Sequence, residues 1–179
     1  MTDPLNSPGV GARDDIAHRG AVRLRGHPAL DRSLYLLSEA ANHSMLWHGI
    51  NLADALSSTD RRARALRRSV IIATEQAVVN GPVKMVVKRR RPTALPSHPY
   101  RLRSPRTSSF PSGHASAGAC AATLLTRDLG AGPLWWSLAA LVGWSRVHVG
   151  VHHASDVVGG VVVGRALARG ASRLWPPPG

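Results

Sequence analysis

The sequence predicts an all-α fold, a bundle of about five helices. Apolar residues recur at helical spacing in five segments between residues 34 and 169. The valine runs lack the flanking turn residues of hairpins, so strands are not expected. With 179 residues, the chain can form one domain with a sizeable core but not two.

The helical domain is expected to cover residues 29–175. Residues 1–28 are rich in Gly, Pro and Arg, which is typical of a flexible or surface-lying N-terminal arm. They contain no apolar stretch of the kind found in a cleaved secretory signal. A second Pro-rich segment, Pro176–Pro178, closes the chain.

Five helices are predicted in order. They cover residues of about 34–56, 66–87, 112–126, 134–149 and 153–169. In the first two, single polar residues interrupt the apolar pattern. The third is alanine-rich, and a turn over residues 128–133 separates it from the fourth, which contains three tryptophans. In the fifth, Gly160 and Gly164 are spaced to let another helix approach closely, within the chain or in a homo-oligomer.

The charge of the chain indicates an anionic partner. There are 23 Lys and Arg residues against 10 Asp and Glu, a formal net charge of +13. Nucleic acid, a lipid headgroup or a phosphorylated substrate would each fit this charge. Cys120 is the single cysteine, so an intramolecular disulfide and a cysteine-based zinc site are excluded. Its small apolar neighbours favour a packed core position over a reactive thiol.

Hydropathy alone does not decide whether these helices enter a membrane. Residues 129–145 form an uncharged run of 17 residues, close to the length that spans a bilayer. The other segments carry polar or charged side chains, and the mean hydropathy is only −0.09. A soluble bundle therefore stays open at this point.

The first of three clusters of reactive residues is basic. Lys84 and Arg91 are seven residues apart, so a continuous helix would place them on one face. Pro92 is then expected to stop that helix. Taken alone, the cluster also fits a solvated or membrane-flanking basic helix end.

The second cluster is Pro111-Ser112-Gly113-His114, at the predicted start of the third helix. Ser112 can cap the helix, and Gly113 lets the backbone approach a ligand. The free N–H groups and the helix dipole create an anion site there. His114 places an acid–base group beside it.

The third cluster contains Arg146, His148, His152 and Asp156. If a helix starts near His152, Asp156 lies one turn later and can accept a hydrogen bond from its ring, leaving the other nitrogen as a nucleophile. A purely structural His–Asp pair is one alternative. A metal site formed by His148, His152 and Asp156 is another, although Gly150 makes a continuous helical metal face less convincing.

Together the clusters indicate metal-independent phosphoryl transfer. Lys84, Arg91 and Arg146 would neutralise the phosphoryl oxygens, which is the work of magnesium in other enzymes. The helix N-terminus, the His–Asp pair and a second histidine supply the remaining groups. The sequence contains no P-loop and no Asp-rich metal motif, and we expect neither a metal nor a cofactor.

The three clusters resemble the signature motifs of the type-2 phosphatidate phosphatase superfamily, which includes bacterial acid phosphatases and vanadium haloperoxidases. The matches are Lys-x6-Arg-Pro at Lys84, Pro-Ser-Gly-His at Pro111, and Ser-Arg-x5-His-x3-Asp at Ser145. Every signature position is filled in the right order, over residues 84–156. The chain most resembles short actinobacterial members, some of which are linked to polyprenyl-phosphate sugars of the cell wall.

This resemblance implies a membrane-associated helical bundle, a multi-pass protein of the cell membrane, and a role for each signature residue. His152 would attack phosphorus, Asp156 would orient it, and His114 would protonate the leaving oxygen and then activate water. The implied phosphate-binding residues are Lys84, Arg91, Ser112, Gly113 and Arg146. Lipid-acting members usually have six helices, one more than is predicted here.

Three hypotheses follow, and the first is favoured. In it, the chain is a membrane lipid phosphatase acting through a phosphohistidine on a phosphatidate-like lipid, a polyprenyl (di)phosphate or a polyprenyl-phosphoryl sugar phosphate. A basic loop at residues 88–106 would lie against anionic headgroups. The second is a soluble acid phosphatase or haloperoxidase. The third is a non-catalytic binding module, but no nucleic-acid partner is expected, because the basic stretches largely lack interleaved aromatic residues.

Overall fold

The structure is a computed structural model that describes residues 7–92 and 107–178. Within these ranges it contains seven longer α-helices, one short one and no strand, so the all-α prediction is confirmed and the count exceeds five. The helices are α1 (Pro8–Leu24), α2 (Pro28–Ala40), α3 (Met45–Ser57), α4 (Arg62–Val78), α5 (Lys84–Val86), α6 (Gly113–Leu129), α7 (Gly132–His148) and α8 (Ala154–Leu174).

Two of the predicted helices are interrupted. The segment predicted at 34–56 is divided between α2 and α3, because His43 and Ser44 adopt left-handed φ angles of 50° and 60°. The segment predicted at 66–87 continues from α4 through a π-helical turn, Val79–Val83, into α5. The last three predicted helices correspond to α6, α7 and α8 within a few residues.

The N-terminal segment contains a helix that packs on the bundle. Helix α1 contacts α7 and α8, and its Asp14 and Ala21 are buried. The expectation of a flexible arm therefore does not fit residues 8–24, which are helical and packed. Sequence periodicity missed α1 because a polar residue, Asp14, makes part of its buried contact. The domain boundary at residue 28 stays a prediction.

Helix α6 lies at the centre of the bundle and packs against α4, α7 and α8. Its Cys120 and Leu124 are fully buried, in agreement with the predicted core position of the cysteine. The contact with α8 depends on glycine. A Cβ atom on Gly164 would lie 2.0 Å from the carbonyl oxygen of Ser116. Gly164 thus serves the packing of α6 on α8 within the chain. The homo-oligomer stays a prediction.

The end of the bundle where α3, α6 and α8 terminate is held by buried ion pairs. Arg68 is fully buried, and its Nη1 atom lies 3.0 Å from Oδ2 of Asp128. Its Nη2 atom pairs with Asp54, and its Nε donates to Oδ1 of Asn51 at 2.8 Å. Arg67 donates to the carbonyl oxygen of Trp175 at 2.7 Å. Polar contacts thus connect four helices at this end.

Helix α7 contains most of the uncharged run that came nearest to a membrane span. It has 17 residues. None of the helices in the described ranges combines the length and apolar character needed to cross a bilayer. The multi-pass arrangement stays a prediction.

Candidate active site

The three sequence clusters meet at one end of the bundle, where α6 and α8 begin and α7 ends. Ser112 caps α6, Arg146 lies in the last turn of α7, and His152 lies in the loop before α8. Lys84 begins α5 and interacts electrostatically with Arg91, Arg146 and Asp156. The structure therefore brings together all the residues proposed from the sequence: Lys84, Arg91, Ser112, Gly113, His114, Arg146, His152 and Asp156.

His152 and Asp156 form the predicted pair. The Nδ1 atom of His152 lies 3.5 Å from Oδ2 of Asp156, one helical turn further along the chain. The same Oδ2 accepts a hydrogen bond of 2.9 Å from the backbone N–H of His153, which fixes the start of α8. The 3.5 Å distance is long for a hydrogen bond, but catalytic hydrogen bonds often tighten only when substrate binds.

Arg91 faces the other side of the His152 ring. Its Nη1 atom lies 3.3 Å from Nε2 of His152 and donates to the carbonyl oxygen of Val151 at 3.0 Å. With Nδ1 directed at Asp156 and Nε2 directed at a guanidinium, the tautomer that fits has its proton on Nδ1. The lone pair of Nε2 then points at the cationic side of the site.

The prediction that Lys84 and Arg91 share a helix face is wrong. Helix α5 ends at Val86, and residues 87–92 are not helical, so Pro92 does not stop the helix. Instead, the backbone at Arg89 pairs with a distant segment. Its N–H donates to Oγ of Ser108 at 3.0 Å, and its carbonyl oxygen accepts from the N–H of Ser109 at 3.0 Å. Arg91 thus reaches His152 from a non-helical segment that follows α5.

Ser112 and Gly113 form the start of α6 in the predicted manner. The Oγ of Ser112 accepts from the N–H of Ala115, and the N–H of Ser112 donates to the carbonyl oxygen of Asp156 at 2.9 Å. Gly113 has little space beside it, since a Cβ atom there would lie 2.8 Å from Oδ1 of Asn80. The free N–H groups of the first turn create a partial positive charge beside His152.

Helix α2 and the turn after it contact two of the signature residues. Arg146 donates through Nη1 to Oγ of Ser38. The Nε2 atom of His114 lies 3.0 Å from Oδ1 of Asn42. His114 therefore meets a polar side chain as well as the cationic groups of the site.

Burial and positive neighbours favour uncharged histidines in this cluster. Burial, together with the charges of Arg91 and Arg146, lowers the pKa of His152 to about 4, although Asp156 acts in the opposite direction. Burial and the charges of Arg146, His152 and Lys84 hold the pKa of His114 well below its ordinary value. For the same reasons the pKa of Lys84 is lowered to about 8. An anion would relieve this repulsion.

Comparison with known proteins agrees with this geometry. A model of the PAP2 superfamily matches residues 65–177. The chain belongs to the PAP2 superfamily. It is 35% identical over 142 residues to decaprenylphosphoryl-5-phosphoribose phosphatase of Mycolicibacterium smegmatis, covering 76% of this chain and 74% of that one. The protein of the same name from Mycobacterium tuberculosis is 33% identical over 160 residues, with 87% of both chains covered.

A solved structure shows the same fold. It is a transmembrane PAP2 type phosphatidylglycerolphosphate phosphatase from Bacillus subtilis, with a TM-score of 0.71 and 24% identity, covering 95% of this chain and 88% of that one. The family and its named relatives identify the chain as a phosphatase. The resemblance drawn from the three motifs is thus confirmed.

His148, weighed earlier as a metal ligand, makes a different contact in this PAP2 phosphatase. Its Nε2 atom lies 2.7 Å from Oδ1 of Asp31, and both side chains are buried. In the part of the chain that the structure describes, no group of three His, Cys, Asp or Glu side chains has metal-site geometry. His148 therefore joins α7 to α2 through a polar contact.

Sequence reasoning missed several residues that contact the signature residues or their neighbours. Asp31, Ser38 and Asn42 contact His148, Arg146 and His114 respectively. Arg89 contacts Asp156, and Asp14 contacts Arg89. One signal was present. Asp31 and Ser38 are two helical turns apart, so a polar stripe marks the face of α2 that turns toward the site.

Proposed function

We propose that this PAP2 phosphatase removes the terminal phosphate from a polyprenyl-phosphoryl sugar phosphate, through a phosphohistidine on His152 and without a metal. The observation that carries the proposal is the placement of the His152 ring. Its Nδ1 atom faces the carboxylate of Asp156, and its Nε2 atom faces the guanidinium of Arg91. A phosphoryl group placed there would meet a nucleophile and a positive charge together. The names of the relatives, decaprenylphosphoryl-5-phosphoribose phosphatases, support this substrate class.

In the first step, Nε2 of His152 attacks phosphorus and the bond from phosphorus to the ester oxygen breaks. The leaving oxygen takes a proton from His114. The ring of His152 becomes cationic as the N–P bond forms, and Asp156 stabilises it through Nδ1–H. The dianionic substrate favours protonation of His114 as it binds. Because His114 is buried among cations, the protonated ring then gives up its proton readily.

In the second step, His114 takes a proton from water, and the water oxygen attacks phosphorus. The N–P bond breaks, inorganic phosphate leaves, and His152 returns to its neutral form. Throughout, Lys84, Arg91 and Arg146 balance the charge of the phosphoryl oxygens, helped by the hydroxyl of Ser112 and the N–H of Gly113. Among the described residues, the buried Nε of Arg146 has no hydrogen-bond partner within the protein, which fits a phosphoryl oxygen as its acceptor.

The same reasoning supports action at a membrane. A polyprenyl chain resides in the bilayer, so an enzyme that takes such a substrate must work at its surface. Lys88 and Arg90, at the start of the basic loop predicted over 88–106, are exposed and could contact anionic headgroups. The rest of that loop, residues 93–106, lies outside the described residues.

The test is phosphate release in detergent, with EDTA present, from a panel of a polyprenyl-phosphoryl sugar phosphate, a polyprenyl diphosphate, phosphatidate and a water-soluble phosphate ester. We expect the native chain to release phosphate from the first substrate most efficiently. His152→Ala should abolish release, whereas His27→Ala, at an exposed histidine, should not. Activity retained by His152→Ala would disprove the mechanism, and activity on the water-soluble ester alone would disprove the substrate.

A further inference from the structure

Asp156 divides its two carboxylate oxygens between two partners. Oδ2 faces His152 and the N–H of His153. Oδ1 lies 2.6 Å from Nη1 of Arg89. Because both oxygens are held, the carboxylate cannot rotate, and Oδ2 is kept directed at the Nδ1 atom of His152. Arg89 therefore fixes the group that orients the nucleophile.

Arg89 is itself enclosed by a second carboxylate. Its side chain is 4% exposed, and its Nη2 atom lies 2.8 Å from Oδ2 of Asp14 in α1. Its Nη1 atom also donates to Oγ of Ser155 at 2.7 Å. A guanidinium buried this deeply needs compensating charge, and here it lies between Asp156 on one side and Asp14 on the other.

Asp14 completes the arrangement by joining α1 to the first turn of α8. Its Oδ1 accepts from the backbone N–H of Ser155 at 2.8 Å, and its Oδ2 accepts from Oγ of Ser155 at 2.7 Å. Asp14 thus holds both Arg89 and the residue next to Asp156. The result is a row of alternating charge that runs from His152 through Asp156 and Arg89 to Asp14.

We infer that Asp14 and Arg89 are positioning residues for the nucleophile, and that helix α1 is a working part of the active site. The inference rests on the proposed function of His152. Arg89 would hold Asp156 in the orientation that stabilises the cationic ring formed during attack. Asp14 would offset the charge of Arg89, so that Asp156 keeps its attraction for that ring.

The electrostatic part of the inference predicts opposite effects of two substitutions. Asp14→Asn removes a negative charge, so the acidic limb of the rate profile should move to lower pH. Arg89→Gln removes a positive charge, so the limb should move to higher pH. Among the described residues, Arg91, Arg146 and His114 act on His152 besides Asp156. Neither substitution changes them.

The experiment compares native protein, Asp14→Asn, Arg89→Gln and Arg89→Lys with controls at exposed neighbours of Asp14, Asp15→Asn and Arg13→Gln. The readouts are kcat and KM against pH for a phosphorylated lipid, together with thermal unfolding in detergent. We expect kcat to fall about 10- to 100-fold for Asp14→Asn and Arg89→Gln, with KM nearly unchanged. Arg89→Lys should recover part of the loss, and the controls should behave as native.

The outcomes separate this inference from the proposed function. If His152→Ala keeps its activity, the proposed function fails. If His152→Ala is inactive but both variants keep native kcat, the inference fails alone. A lower kcat with an unmoved acidic limb, or limbs that move in the same direction, would show a merely structural role and would also overturn it.

Discussion

The Nε2 atom of His114 lies 3.0 Å from Oδ1 of Asn42, and the two residues that follow Asn42 both have left-handed backbone angles. His43 and Ser44 are not glycines, so each adopts this conformation at a cost of about 1 kcal/mol or more. The turn that carries this strain directs Asn42 at the histidine proposed to protonate the leaving oxygen.

From this contact we expect Asn42 to influence the acid step. Asn42→Ala should lower kcat, because the protonated ring of His114 loses an acceptor. Asn42→Asp adds a negative charge and should raise the pKa of His114, so the alkaline limb of kcat should move to higher pH. The profiles of both variants check this, and an unmoved alkaline limb in Asn42→Asp would count against it.

A second prediction concerns Lys84 and the pH dependence of substrate capture. Burial and the charges of Arg91 and Arg146 lower the pKa of Lys84 to about 8. As pH rises through this value the ammonium loses its charge, so kcat/KM should fall above about pH 8. A bound phosphate dianion favours the charged form, and kcat should fall less.

Lys84→Arg is the variant that checks this interpretation. Arginine keeps its charge throughout the accessible pH range, so the decline of kcat/KM above pH 8 should disappear. Persistence of the decline at the same pH would assign it to another group. Substitution of the exposed Lys88 by Arg provides the matched control.

Much of the site could be predicted because its residues lie close together in the sequence. The His152–Asp156 pair is one helical turn apart, and Ser112 caps the helix that carries His114. Such local geometry follows from helix periodicity and capping chemistry. The bundle itself followed from the same periodicity, and the core position of Cys120 followed from its small neighbours.

The remainder could not be predicted because it depends on contacts between distant segments. Asp14 and Arg89 are 75 positions apart, and Asp31 and His148 are 117 apart. No local pattern indicates that the chain is non-helical at Arg89, where the side chain meets two carboxylates. Sequence periodicity therefore predicts a helix that continues past Val86. Likewise, α1 is held partly by polar contacts, and a search for apolar periodicity passes over it.

A third prediction concerns the buried ion pairs at the end of the bundle remote from His152. Asp128→Ala leaves Arg68 short of one of its two carboxylates and should reduce the free energy of unfolding by about 3–5 kcal/mol. The activity of the molecules that remain folded should be unchanged. Thermal unfolding and activity per folded molecule check this, with Asp60→Ala, at an exposed residue, as the control.

A fourth prediction uses two glycines of α8. Gly164→Ala would place a Cβ atom 2.0 Å from the carbonyl oxygen of Ser116, so α6 and α8 must separate. We expect lower stability, by about 1–3 kcal/mol or more, and lower activity. At Gly170 no described residue outside the local helix backbone lies within 4 Å of the added Cβ, so Gly170→Ala should be neutral or stabilising. Equal behaviour of the two variants in thermal unfolding would contradict this.

The close contact of α6 with α8 also bears on how such an enzyme can diversify. His114 begins one helix and Asp156 begins the other, so the glycine contact sets the spacing of the reacting groups as a rigid unit. Helices α1 and α2 reach that unit through polar side chains. Changes in those side chains can therefore alter the rate of the reaction while the spacing set by the glycines is kept.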